Sequence, residues 1–380
     1  MHDGTRQHDM ENSPVNAPAA QNKHFPCRQC GAQLDFAPGT TALQCPYCGS
    51  QTPIPQSEEQ IAELDYREYL TKAEGSHECQ EVQRIKCDKC GAETTMPPDV
   101  AASVCPFCGA NLVLTARSTR LLKPAAILPF HLTRQQAFEG FRRWINGLWF
   151  APTELKQFVR SEGKLAGVYV PCWTYDSETT TFYRGARGDD YSETERYTAT
   201  VNGRSVARTR SVRKTRWRSA SGTVWNRFDD VLVMAGKSLP RHYADRLEPW
   251  DLANLMPYAD EFLSGFRAES YQVDLAQGFD RAREIMDDGI RESIRRDIGG
   301  DHQRIDSVKT GYDKITFKHI LLPVWLSAFR YREKVYQTLI NGRTGEVQGE
   351  RPFSAWKIAG AVIAALAVIA LILVLASANQ

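Results

Sequence analysis

Four Cys-x-x-Cys pairs set the strongest limit on what this chain can fold into. They are Cys27/Cys30, Cys45/Cys48, Cys87/Cys90 and Cys105/Cys108, each followed at once by a glycine: Gly31, Gly49, Gly91 and Gly109. Two thiolates two residues apart grip one ion from a tight turn, and the glycine tolerates the backbone that aims amides at the sulfurs. Two such turns close a tetrahedral four-sulfur site with no open position, a structural rather than a catalytic arrangement. FPCRQCGAQLDF and LQCPYCGSQ in the first set align with IKCDKCGAETTM and SVCPFCGAN in the second, with every cysteine sixty residues further on. That offset marks a duplicated unit. Pro46 and Pro106 stiffen the second turn of each set.

Ligand type and spacing therefore predict two zinc ribbons holding two structural Zn2+ ions. Disulfides are disfavoured in a reducing cytoplasm. A thioredoxin-like site uses one such pair at a helix start, and rubredoxin-type iron uses similar turns with a longer segment between them. Each ribbon carries too little apolar sequence to fold alone, so metal binding would supply its folding free energy. Cys79, in the polar SHECQ near His77, and Cys172, in VYVPCWTY, remain outside the sets. Cys172 reads as a small core residue rather than a nucleophile.

The other strong signal lies at the C-terminus. Ile358 to Ser377 reads IAGAVIAALAVIALILVLAS, with no charge. Twenty helical residues span about 30 Å, the thickness of a hydrocarbon core. Buried core helices rarely run so long without a polar face. A transmembrane helix is predicted over 356–377, followed only by Ala378, Asn379 and Gln380. Arg343, Arg351 and Lys357 precede it, and Trp356 suits the interface. By the positive-inside tendency the N-terminal body faces the cytoplasm, in a single-pass protein of the inner (cytoplasmic) membrane. Met1 to Lys23 is polar, lacks the apolar stretch of a secretory signal, and reads as a disordered arm. A formal net charge of +2 gives no global nucleic-acid signature.

The predicted fold class is α+β. Its parts are a disordered arm (1–23), zinc ribbon 1 (24–55), a helical linker (56–80), zinc ribbon 2 (81–115), an α+β body (116–352) and the membrane helix. In the linker, Ser57 and Gln60 suit a capping box for a helix over Glu58–Ala73, with Ile61, Leu64, Tyr69 and Leu70 as its apolar stripe. In the body, Ala126–Phe130 reads as a strand and Thr133 as the cap of a helix reaching Ile145. GVYVPCWTY and TFYRG read as paired strands, and Gly185–Gly222 as strand-like around an Asn202-Gly203 turn. Helices are expected over Asp251–Phe262 and Leu275–Ile298. HILLPVWLSAFRYR, KVYQTLI, an Asn341-Gly342 turn and GEVQG close the body. Val168–Trp173 echoes Ile320–Trp325, each preceded by a strand-then-helix segment (LPFHLTRQQAFEGF; YQVDLAQGFDRARE). A duplicated strand–helix–strand–strand unit accounts for the echo, with the proline of each copy suggesting an edge or a bulge.

Motifs for catalysis are not evident. Gly236-Lys237-Ser238 ends like a phosphate-binding loop, but Val231 stands where that loop needs a glycine. Asp301 and His302 follow a double glycine that reads as a helix C-cap and polar turn. The chain is accordingly expected not to be an enzyme. One charge feature stands out. Arg208, Arg210, Arg213, Lys214, Arg216 and Arg218 fall within Arg204–Arg218, which contains no acid but includes Trp217. On a strand all but Arg213 share one face. Three readings stay open: an acid-paired hairpin face, contact with anionic lipid at about 1 kcal/mol per basic residue, or nucleic-acid binding.

YVPCWTYD, RDIGGDHQRI, FKHILLPVWLSAFRY and INGRTGEVQGERP, together with the ribbons and the tail, resemble the bacterial TFIIB-type zinc-ribbon membrane proteins. The resemblance runs from Cys27 to Ser377, and Cys172 stands where an aromatic residue is expected. Such proteins are often labelled primosomal replication-restart helicases, but this chain has neither the phosphate-binding loop nor the length of a helicase motor. The resemblance implies a non-enzymatic, tail-anchored adaptor. Its implied partners are phage-shock-type (ESCRT-III-like) and flotillin-like SPFH proteins at stressed or remodelled membrane. The alternative is a membrane-tethered nucleic-acid-binding protein that uses the ribbons and the basic segment.

Overall fold

The structure, a computed structural model, describes residues 25–55, 60–71, 79–95, 102–113, 117–152, 165–201, 204–331, 334–350 and 353–378. The arm expected over 1–23 lies outside them. Ribbon 1 is a three-stranded antiparallel sheet of β1 (Asp35–Phe36), β2 (Ala42–Gln44) and β3 (Gln51–Pro53). The linker departs from expectation. Ser57 lies outside the described residues, β4 (Leu64–Asp65) pairs with the body at Thr316–Phe317, and only α1 (Tyr66–Thr71) is helical. Strand pairing and an ion pair of Glu63 with Lys318 at 3.0 Å hold this stretch away from helix. The Asp65 carboxylate then caps α1, accepting from the Glu68 N–H at 2.7 Å. In ribbon 2, β5 (Cys79–Lys86) lies between β6 (Glu93–Thr95) and β9 (Arg117–Leu122). β7 (Ala102–Val104) pairs with β8 (Asn111–Val113). Cys79 thus starts a strand instead of closing a linker.

The body is two copies of one unit. The first runs β10 (Ala126–Ile127), α2 (Arg134–Gly147), β11 (Ala166–Val201) and β12 (Arg204–Met234). After α3 (Arg241–Ala244) and β13 (Met256–Pro257), the second runs β14 (Arg267–Ala268), α4 (Leu275–Ile298), β15 (His302–Tyr331) and β16 (Lys334–Asn341). Thr133 and Asp274 cap the two helices, each accepting from the backbone N–H of a glutamine three residues on, Gln136 and Gln277. The inner strands β11 and β15 pair antiparallel, so that Val170 faces its own counterpart Leu322. β10 runs parallel to β15 and β14 parallel to β11. An approximate twofold axis therefore passes between Val170 and Leu322.

The two prolines explain a detail of this symmetry. They occupy paired inner strands, not edges, and their position is set by the donor they lack. Ala235 donates to the Pro171 carbonyl and Gly342 to the Pro323 carbonyl, both at 2.9 Å. Neither proline can return a bond, which leaves the carbonyls of Ala235 and Gly342 free. Gln272 and Val273 donate to the first, and His131 and Leu132 to the second. Those are the residues leading into α4 and α2. Trp173 and Trp325 repeat the pattern, donating from Nε1 to the carbonyls of Val273 at 2.9 Å and Leu132 at 3.0 Å.

The sheet is buried on both faces. Tyr169, Trp173, Leu321 and Trp325 pack with α2, α4 and ribbon 1, while Val168, Val170, Cys172, Ile320, Leu322 and Val324 pack with ribbon 2 and the segment around Leu239–Leu255. GVYVPCWTY and TFYRG belong to one continuous strand, β11, rather than pairing with each other. β11 and β12 form a hairpin out to Val201 and Arg204, with the Asn202-Gly203 turn itself outside the described residues. β15 accompanies β11 only as far as Gly188, so the tip is a two-stranded ribbon. The helix expected over Asp251–Phe262 is replaced by single 3-10 turns at Leu252–Asn254 and Asp260–Leu263 around β13. Pairing of Met256–Pro257 with β10 wins there over helix propensity. β17 (Val347–Gly349) pairs with β16, and α5 (Ala355–Ala378) ends the chain.

Candidate metal centres

The eight ribbon cysteines come together as two groups of four, Cys27/Cys30/Cys45/Cys48 and Cys87/Cys90/Cys105/Cys108. Within each group every sulfur lies within 4.8 Å of the others. The close approaches are 3.5 Å for Cys27–Cys48 and Cys30–Cys45, 3.6 Å for Cys87–Cys108 and 3.7 Å for Cys90–Cys105. Four thiolates about 2.3 Å from one ion at tetrahedral angles stand roughly 3.8 Å apart, so the donor set fits zinc in a closed site. The cysteines are free rather than disulfide-bonded.

Each turn is built the same way. Gly31 donates to the Cys27 carbonyl and Cys27 to that of Ala32; Gly91, Cys87 and Ala92 repeat this at the second site. Gly31, Gly49, Gly91 and Gly109 hold φ of 75°, 75°, 74° and 70°. A Cβ on any of them would meet nothing within 4 Å, so the demand for glycine comes from backbone conformation and not from space. Amides of Cys30 and Gln29 draw the Cys27 thiol down to about 6, and the Cys48 amide lowers Cys45. Burial opposes the same effect at Cys87, which the amides of Cys90 and Lys89 still lower, and it pushes Cys105 up to about 11.

The two sites are embedded differently. Ribbon 1 docks through its sheet: Phe36 meets Phe262 edge-on at 5.2 Å, its N–H donates to the Ser264 carbonyl, and Leu34 accepts from Ser264 Oγ. Ribbon 2 docks through β6 and its second turn. Thr95 Oγ1 donates to the Ala268 carbonyl at 3.0 Å, and Gln337 Nε2 to that of Phe107 at 2.7 Å. Phe107 is fully buried, while Tyr47, at the matching place in ribbon 1, is 83% exposed. The sequence repeat locates both residues, but nothing in it distinguishes their environments.

Other residues singled out from the sequence are placed as follows. Cys172 is buried in the core, and burial raises its thiol well above the ordinary value. Ser238 donates from both N–H and Oγ to Glu269, and a Cβ on Gly236 would strike that carboxyl, so the Gly-Lys-Ser turn is occupied by a buried glutamate. Gly299 caps α4 at φ 64°. On the hairpin, acids of β11 face the basic segment of β12. Arg210 pairs with Glu195 at 3.1 Å, Arg213 with Asp190 at 2.7 Å, and Lys214 with Glu193 and Glu195 at 3.0 Å. Arg216 lies over the Tyr191 ring at 4.9 Å. Arg208 and Arg218 have no acid partner among the described residues.

Helix α5 is long and apolar enough to cross a membrane over Ala355–Ile372, and none of that window is buried against the body. Arg343, counted among the flanking cations, is instead bound to Asp251 at 2.5 Å. Arg351 lies outside the described residues. Two four-cysteine ribbons on a duplicated α+β body, with an apolar helix not buried against that body, fit a membrane-associated zinc-ribbon protein. The chain is similar to a protein of Bacillus subtilis (strain 168) described as "Uncharacterized protein YdjG", with 26% identity over 342 residues, covering 88% of this chain and 92% of that one. No family model and no solved structure matches it.

Proposed function

We propose that this protein is a non-enzymatic, tail-anchored adaptor of the cytoplasmic membrane. It would hold two structural Zn2+ ions and present its ribbons and body to protein partners. The observation that carries the reading is the pairing of closed four-sulfur sites with a helix whose apolar window, Ala355–Ile372, is nowhere buried against the body. A closed site leaves no coordination position for a substrate, so its metal stabilises a surface rather than performing chemistry. The exposed apolar window of that helix needs lipid. The resemblance noted above suggests phage-shock-type and SPFH membrane-remodelling proteins as the partners. Affinity capture of the full chain from detergent-solubilised membranes is expected to recover such proteins, and to lose them when the ribbon cysteines are replaced by serine. Recovery that does not depend on the cysteines would remove the ribbons from the binding surface. Recovery of no membrane-remodelling protein would end the adaptor reading.

Acid pairing of Arg210, Arg213 and Lys214 draws support away from a nucleic-acid role for the hairpin. Arg208, Arg216 and Arg218 still give it a cationic excess. A salt-sensitive gel shift with DNA or RNA, abolished by Arg208→Glu/Arg218→Glu, would restore that role.

A further inference from the structure

The loop after α2 meets the base of α5. The Ser354 N–H donates to the Phe150 carbonyl at 2.8 Å, and Lys357 Nζ donates to the Ala151 carbonyl at 2.8 Å. These bonds hold the backbone of Phe150 and Ala151, next to Trp149, against Ser354 and Lys357, which flank Trp356, although the two segments are far apart in sequence. All four side chains are exposed: Trp149 80%, Phe150 37%, Phe353 66% and Trp356 88%. Four large aromatic rings left open to water on two segments that touch are costly unless something covers them.

We infer that the Trp149–Phe150 loop is a second membrane contact, lying in the headgroup layer beside α5 and fixing the tilt of the body on the bilayer. The inference rests on the reading of α5 as a membrane span. Lys357 sets the depth. It lies inside the apolar window that begins at Ala355, and an ammonium there needs a polar partner or a route to the interface. The Ala151 carbonyl supplies that partner, so the loop must sit at the same level as the first turn of α5. Indole and phenyl rings at that level occupy the zone where aromatic side chains favour lipid headgroups. Arg142 and Arg143, exposed toward the end of α2, stand a turn or more back, where anionic headgroups can reach them.

The test uses the full chain reconstituted into phosphatidylethanolamine/phosphatidylglycerol vesicles. p-Benzoylphenylalanine is placed singly at Trp149, at Leu366 within α5, or at Trp225 on β12, which is 73% exposed. Illumination is expected to cross-link lipid at positions 149 and 366, with position 225 giving several-fold less. Lipid adducts at 366 but not at 149 would overturn the loop contact and leave the span standing. No adducts at either position would remove both. Adducts from 149 to a second copy of the chain, or yields at 225 equal to those at 149, would also overturn the inference. Trp149→Ser/Phe150→Ser, which truncates exposed groups, is expected to unfold in detergent at the same temperature as the parent while its lipid-dependent protection of Trp356 from aqueous quenchers is lost. Retained protection would count against the contact.

Discussion

Ribbon 1 and ribbon 2 share a sequence unit and a metal-site geometry, yet they relate to the body in different ways. Ribbon 1 rests its small sheet on Phe262 and Phe266 and turns its second cysteine turn, with Tyr47, to solvent. Ribbon 2 drives the matching turn, with Phe107, into the core under the central strands. The two ribbons repeat one cysteine unit, and the surroundings of its second turn differ between them. One is a free knuckle and the other a plug. Stripping the metal is the harshest way to probe this, since structural zinc contributes about 10 kcal/mol or more in small ribbons. Two zinc ions per chain are expected by elemental analysis. A strong chelator should release them in two phases, ribbon 1 first, because Cys48 is exposed whereas its counterpart Cys108 is partly covered. Loss of tryptophan near-UV signal from the body should track the second phase. Simultaneous release would erase the distinction.

The next test isolates the aromatic residue. Phe107→Ala removes a fully buried ring and is expected to cost about 3–5 kcal/mol of stability. Tyr47→Ala, at the equivalent exposed place, should stay within about 0.5 kcal/mol. Thermal or urea unfolding of the detergent-solubilised chain measures both. Equal losses would mean that the two turns are embedded alike.

Much of this molecule could be read before its structure, and the boundary of legibility is physical. The cysteine sets, the Thr133 cap and the helix Leu275–Ile298 declare themselves through spacing over a few residues, the range on which capping and periodicity act. The internal repeat was visible because Val-Pro-Cys-Trp and Leu-Pro-Val-Trp carry the same proline and tryptophan, and those residues serve the same backbone carbonyls in each copy. What failed depended on partners distant in sequence. Leu64 has helical neighbours but pairs with Phe317, and Met256 interrupts an apparent helix because β10 needs an antiparallel partner. The acids opposite Arg210 and Lys214 were present in the sequence, but only the hairpin register brings Glu195 and Glu193 across from them. Docking of the ribbons was invisible for the same reason, since Tyr47 and Phe107 differ by one hydroxyl.

A titratable group sits at the ribbon 2 contact. Glu269 is buried, its carboxyl raised to about 7 by that burial, and its backbone bridges to Thr94 of β6. The folded state thus binds this proton more tightly than the unfolded chain does. Its stabilising contribution is complete below the ordinary glutamate value near 4.5 and is lost as pH rises through about 7. The interval corresponds to roughly 3 kcal/mol at most. Glu269→Gln, which keeps the shape and removes the titration, should flatten the fall in stability between those pH values. An unchanged slope would place the titration elsewhere.

The smallest expected effect is one in which the two ribbons should agree. Gly31→Ala and Gly91→Ala each force an alanine to a φ near +75°, at an expected cost of about 1–2 kcal/mol. A Cβ on either meets nothing within 4 Å, so neither substitution carries a packing penalty that depends on docking. The costs should therefore match, even though the same ribbons respond unequally to loss of Tyr47 and Phe107. If Gly91→Ala proved much the worse, the turn itself and not only Phe107 would be under pressure from the body. The plug would then extend to the first cysteine turn. Equal costs would confine the difference between the ribbons to the second turn and the ring it carries.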